Sequence, residues 1–301
     1  MLKIRSLVFV GLLAFASFIV GCTSDGGSVD QAIDDAIEAD DELAEDFNKA
    51  KQVFYSLPSP IETAMLMKRA GAKYNEEYLN PVESISNYTT NKSMSLNLGV
   101  YSADLSVSSM CDQSQAAIKY LSATKKLAEE LGILNAIDKS IVDRMEVNVN
   151  NRDSLMEIIS ETFMNSNSFL KENDRAETAA IILVGGWVEG LYIATKIARA
   201  TDQNSEIIDR IVHQRLSLAT LISLLEEYED NDENVSSLLP ELRAIKAIYD
   251  KIQVASSDIV AETDAESGKT IIKSNTESSI SPEVFEELCV KTDEFRTKIV
   301  S

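Results

Sequence analysis

Helical periodicity broken by prolines at helix starts constrains this chain most. It has five prolines in 301 residues, and three follow a residue that can cap a helix: Ser59-Pro60, Asn80-Pro81 and Ser281-Pro282. Proline fits the first turn of a helix because the amide hydrogen it lacks has no intrahelical partner there. Ser59-Pro60-Ile61-Glu62 also places a glutamate to close a capping box. Apolar residues between these starts recur with a 3.6-residue period. The spacing predicts helices over about 61–79, 81–88, 94–110, 113–131, 134–146, 152–172, 175–200, 204–229, 236–257 and 282–299. Strand signals are confined to Thr270-Ile271-Ile272, inside a Ser/Thr/Asn/Gly-rich stretch near 262–280 that reads as a disordered loop or small hairpin. The expected fold class is all-α, a multi-helix bundle in one domain over 30–301.

The N-terminal segment is set apart by composition. Lys3 and Arg5 precede a 14-residue apolar run, Leu7 to Val20, which is short for a bilayer span. Ile19-Val20-Gly21-Cys22 follows. The basic start, short apolar core and Leu/Ile-x-Gly/Ala-Cys box together resemble a bacterial lipoprotein signal. That resemblance implies cleavage after residue 21, diacylglycerol on the Cys22 thiol and a fatty acyl chain such as palmitate on the new amino group. It rests on 22 residues and implies nothing about the rest of the chain. Thr23 stands where an aspartate would imply inner-membrane retention, so the resemblance points to the outer membrane, facing the periplasm or the cell surface. Residues 22–29 read as a lipidated tether, with Thr23 to Ser28 reaching about 20 Å at full extension.

Residues 25–46 carry ten acidic side chains and no basic one, with apolar residues still at helical spacing, so 30–56 reads as an acidic amphipathic helix. The whole chain has 28 Lys and Arg against 49 Asp and Glu, a formal charge of −21. Such a balance disfavours nucleic acid as a partner.

Ala179 to Val188 is the most apolar stretch after the signal, and Glu189 ends it. This predicts a buried central helix, with Gly186 and Gly190 one turn apart to admit a close neighbour. A weak echo links Gly99-Val100-Tyr101-Ser102-Ala103-Asp104-Leu105 to Gly185-Gly186-Trp187-Val188-Glu189-Gly190-Leu191. Chance similarity of two apolar helices and a duplicated helical hairpin both account for it.

No catalytic signature emerges. His213 is the single histidine, and no flanking motif makes it part of a triad. No cofactor motif is present, so the chain reads as non-enzymatic. Cys111 and Cys289 read as partly buried free thiols, with pairing left open. Asp230, Asp232, Asn234 and Glu241 fall at calcium-loop spacing, but Val235 occupies the glycine position, so they read as a solvated acidic turn before a metal site. Tyr101, Asp104, Trp187, Glu189 and Tyr192 could line an aromatic and carboxylate cleft between central helices, although Glu189 could equally pair with Lys196 or Arg199. The leading expectation is a lipid-anchored envelope protein that binds a partner protein or assists an outer-membrane assembly. The alternative is a small-molecule-binding lipoprotein using that cleft.

Overall fold

A computed structural model describes residues 74–133, 139–148, 175–201, 205–256, 260–263, 270–273 and 276–301, with single positions between 151 and 170. The signal, Cys22, the tether and the acidic helix expected over 30–56 lie outside the described residues, as does most of 152–172.

Eight α-helices carry the described fold: α1 Asn91–Met110, α2 Ser114–Glu130, α3 Lys139–Val147, α4 Ala176–Ala200, α5 Ser205–Glu226, α6 Glu233–Ser236, α7 Leu239–Tyr249 and α8 Pro282–Val300. It is an all-α bundle. Local chemistry sets the boundaries. Thr90 and Ser93 exchange hydrogen bonds in a capping box at the start of α1. Ser281 accepts from the Val284 amide and Pro282 opens α8. Pro81 precedes a 3₁₀ stretch, Val82–Asn87, where an α-helix was expected. Gly132, at φ 70°, ends α2, and the Ile133 amide returns to the Ala128 carbonyl at 2.8 Å.

α1 with α2 and α4 with α5 form two helical hairpins, and α1 crosses α4 at the centre. α8 lies against α4, α7 and α1, and α7 closes onto α5. α4 is long and apolar enough to cross a membrane by length and composition. Its apolar residues are buried nearly all round in this bundle, as a central helix requires.

The α1–α4 crossing is made by glycine. A Cβ on Gly99 would fall 2.1 Å from the Ile182 carbonyl oxygen, and one on Gly185 would fall 1.9 Å from the Leu96 carbonyl oxygen. Each glycine therefore meets the residue three positions before the other. The contact is reciprocal, as expected for two helices related by a local twofold axis. Tyr101 and Trp187, two residues past these glycines, are both buried. The sequence echo thus marks the two helices of one symmetric crossing. The glycines differ in part from those expected: a Cβ on Gly186 would make only ordinary contact with Gly99, although the Gly186 nitrogen lies 2.6 Å from where a Gly99 Cβ would sit, and a Cβ on Gly190 would meet nothing within 4 Å among the described residues outside its own helix backbone.

The expected helix over 236–257 stops at Tyr249. Gln253–Ser256 (β1) instead pairs antiparallel with Thr276–Ser279 (β4), and Val260–Thr263 (β2) with Thr270–Lys273 (β3). The hairpin expected near 262–280 is real, but its outer strand begins earlier. Its strands pair β1 with β4 and β2 with β3.

Candidate functional site

A polar cluster lies where α1, α4 and α8 meet. Glu189 on α4 is fully buried and receives two hydrogen bonds from Arg296 on α8, Nε to Oε2 at 3.0 Å and Nη2 to Oε1 at 3.1 Å. The guanidinium also sits 4.6 Å from the Tyr192 ring centre, and Lys196 covers the same ring at 4.9 Å. Asp104 on α1 is fully buried beside this pair and accepts the Asn80 amide at 3.1 Å through Oδ2. Its Oδ1 receives no hydrogen bond from a protein donor.

Two carboxyl groups thus share one guanidinium in the interior. Burial, then the Glu189 charge, raises the Asp104 carboxyl well above the ordinary aspartate range. Glu189 is also raised by burial, with Arg296 opposing the shift. The bidentate contact with Arg296 favours the charged form of Glu189, whereas burial favours the neutral form of Asp104. Interaction between the two carboxyl groups adds to the upward shift of Asp104.

The surroundings are aromatic. Tyr101 donates to the Pro81 carbonyl at 2.9 Å and lies between Tyr88 and Tyr120, with ring centres at 6.2 and 6.0 Å. Burial pushes the Tyr101 and Tyr120 hydroxyls far above the usual tyrosine range, so both stay neutral. Asn80 donates to Tyr88, Asn97 donates to the Ile299 carbonyl at 2.9 Å, and Tyr88 donates to the Val300 carbonyl at 3.3 Å. The end of α8 is fastened to the bundle by these bonds.

The five candidate residues do not line an open cleft. Tyr101, Asp104, Trp187 and Glu189 expose at most 1% of their surface, and the glycine crossing closes the space between the helices. Asp104 and Glu189 come together as anticipated, with Tyr192 at the edge of Arg296. Trp187 belongs elsewhere: its indole N–H donates to Ser217 Oγ of α5 at 3.0 Å. Lys196 and Arg199, weighed as partners of Glu189, pair with Asp293 and Glu286 of α8 instead. Arg296 is the residue that sequence reasoning missed. The spacing of Cys289, Thr292, Arg296 and Ile299 places it on the inward stripe of α8, which is the signal that could have found it.

The residues at calcium-loop spacing have other engagements in this structure. Asp232 caps α6 by accepting the Val235 amide at 2.9 Å. Glu241 is held by Lys291 and Lys298, and Asp230 is exposed. No His, Cys, Asp and Glu group among the described residues is arranged to hold a metal ion. Cys111 is half-buried and Cys289 buried, and both are free thiols.

No protein-family model matches the chain, and neither a curated protein nor a solved structure does.

Proposed function

We propose that this chain is a lipid-anchored protein of the bacterial envelope that holds a partner protein or supports an outer-membrane assembly, and is not an enzyme. The reading joins the Ile19-Val20-Gly21-Cys22 box to a helical body whose polar interior is turned inward. One observation carries the second half. The carboxylates and aromatics best suited to hold a substrate are buried against one another, with Glu189 committed to Arg296 and Asp104 to Asn80 and Glu189. Such a cluster orders three helices, and recognition is left to the outer faces. A lipid anchor at Cys22 would keep the chain at the membrane and raise its effective concentration toward other membrane proteins.

The test is crosslinking of the anchored full-length chain in the cell that makes it. Reproducible capture of one envelope protein, lost when Cys22→Ala blocks lipidation and processing of the chain, is the expected result. Absence of any discrete protein adduct from exposed positions spread over the bundle would overturn the reading.

A further inference from the structure

One outer face of the bundle lies between α7 and α8. An open groove of about 640 Å³ runs there. Its floor is apolar: Ala244, Ala247 and Ile248 from α7, and Val290 from α8. The buried positions of α7 include Leu239, Leu242 and Ile245; Ala244 and Ala247 lie toward the outside, and their small side chains lower that wall of the groove. Val290 leaves 46% of its surface exposed, one of four large apolar side chains to do so among the described residues.

The rim is acidic in a way that its internal pairing does not cancel. Four glutamates face two lysines there. Both lysines are occupied: Lys251 by Glu287, and Lys291 by Glu241 across the groove. Glu286 is held by Arg199. Glu283, at the start of α8, makes no ion pair among the described residues and is engaged by hydrogen bonds with Ser281 and its own backbone. Glu294, 3.7 Å from Lys291, shares that lysine with Glu241. One carboxylate without a cation and one that shares its cation therefore stand at the two ends of an apolar trough, on one wall. Eleven residues of helix separate them, a span of about 16 Å.

We infer that the α7–α8 groove binds a basic amphipathic helix of a partner protein. Its apolar side chains, spaced three and four residues apart, would cover Ala247 and Val290, and Lys or Arg on its flanks would meet Glu283 and Glu294. This is the helix-in-groove mode of recognition. Charge excludes the competitors. A second copy would bring its own acidic rim against this one, and an anionic lipid surface would be repelled. The inference rests on the partner-binding reading above and names its surface and its partner's chemistry.

The test places a photocrosslinking residue, p-benzoylphenylalanine, at Ala247, Val147 or Leu216 of the full-length anchored chain in its native cell. The inference expects a discrete adduct from Ala247 that exceeds those from Val147 and Leu216. Peptide mapping should place the captured segment in a Lys/Arg-rich amphipathic helix. Glu283→Lys with Glu294→Lys should weaken the adduct about tenfold, as two exposed ion pairs become like-charge contacts. The exposed substitutions Asp230→Lys with Glu233→Lys should leave it unchanged. Far-UV circular dichroism of each charge variant establishes that the bundle is intact. A captured segment that is acidic, lipidic or a second copy overturns the inference, as does an adduct indifferent to the rim charges. Capture of a partner from Val147 or Leu216 but not from Ala247 sinks the groove and leaves partner binding standing. No adduct from any position sinks both.

Discussion

The glycine crossing makes two chemically identical substitutions on one helix act in opposite directions. Alanine is favoured over glycine in a helix interior by about 1 kcal/mol. At Gly190 no atom lies within 4 Å of the added methyl, so Gly190→Ala should gain that amount. At Gly185 the methyl would sit 1.9 Å from the Leu96 carbonyl oxygen and 2.7 Å from its carbon. Ordinary contact begins near 3.4 Å, so α1 and α4 must part by about 1.5 Å along their central contact. The obstacle is backbone on a buried helix, so no rotamer change relieves it. Overpacking of this kind costs roughly 1–3 kcal/mol, and a backbone obstacle belongs at or above the upper end. Set against the propensity gain, Gly185→Ala should lose about 2 kcal/mol net. A domain of this size moves roughly 2–4 °C per kcal/mol. Gly190→Ala should thus melt about 2–4 °C higher than the parent, and Gly185→Ala about 4–8 °C lower. Thermal unfolding followed by far-UV circular dichroism measures both. Shifts of the same sign would show that α1 and α4 do not meet backbone to backbone at this point.

Other expectations concern the buried charges and thiols. Arg296→Met strands the Glu189 carboxylate in the interior and should cost about 3–5 kcal/mol in urea unfolding, with most of it recovered in the Arg296→Met, Glu189→Gln double variant; no recovery would mean the two side chains do not pair. The Asp104 carboxyl is raised in the folded state, so its contribution is fully present below the ordinary aspartate value and is lost as pH rises through the folded value. Asp104→Asn keeps the acceptor for Asn80 and a donor toward Glu189, so it should flatten that decline and match or exceed the parent at alkaline pH. A parent whose stability gains on the variant with rising pH would contradict the assignment. Burial pushes the Cys289 thiol up to about 11, and Cys289 should react with a thiol reagent only as fast as the bundle unfolds, whereas half-buried Cys111 reacts sooner.

Helix content was legible because capping and periodicity are local. Ser281-Pro282 and the apolar stripes of α2, α4 and α5 announce themselves within a few residues of sequence. The end of α7 was not legible. Tyr249 and Ile252 continue a helical spacing, and the partner that draws Gln253–Ser256 into a strand is Thr276–Ser279, some twenty residues on. The glycine echo pointed to the right two helices. It could not say which glycine touches backbone, since that depends on the crossing angle, and Gly190 falls just beyond the contact. At the candidate site, Asp104 and Glu189 were singled out as acids in apolar helices, a pattern that does mark burial. Whether such acids face a ligand or each other depends on the third helix. Arg296 arrives from more than a hundred residues away, and neither its pairing nor the closure of the cleft is written near either carboxylate.

The account turns most directly on the chemistry at Cys22. Intact-mass analysis of the chain purified from membranes should find an N-terminus at Cys22 carrying the mass of a diacylglycerol and a further acyl chain, and Cys22→Ala should leave residues 1–21 in place. A native chain that retains those residues, or that begins at Cys22 without lipid and stays in the aqueous fraction, would contradict it.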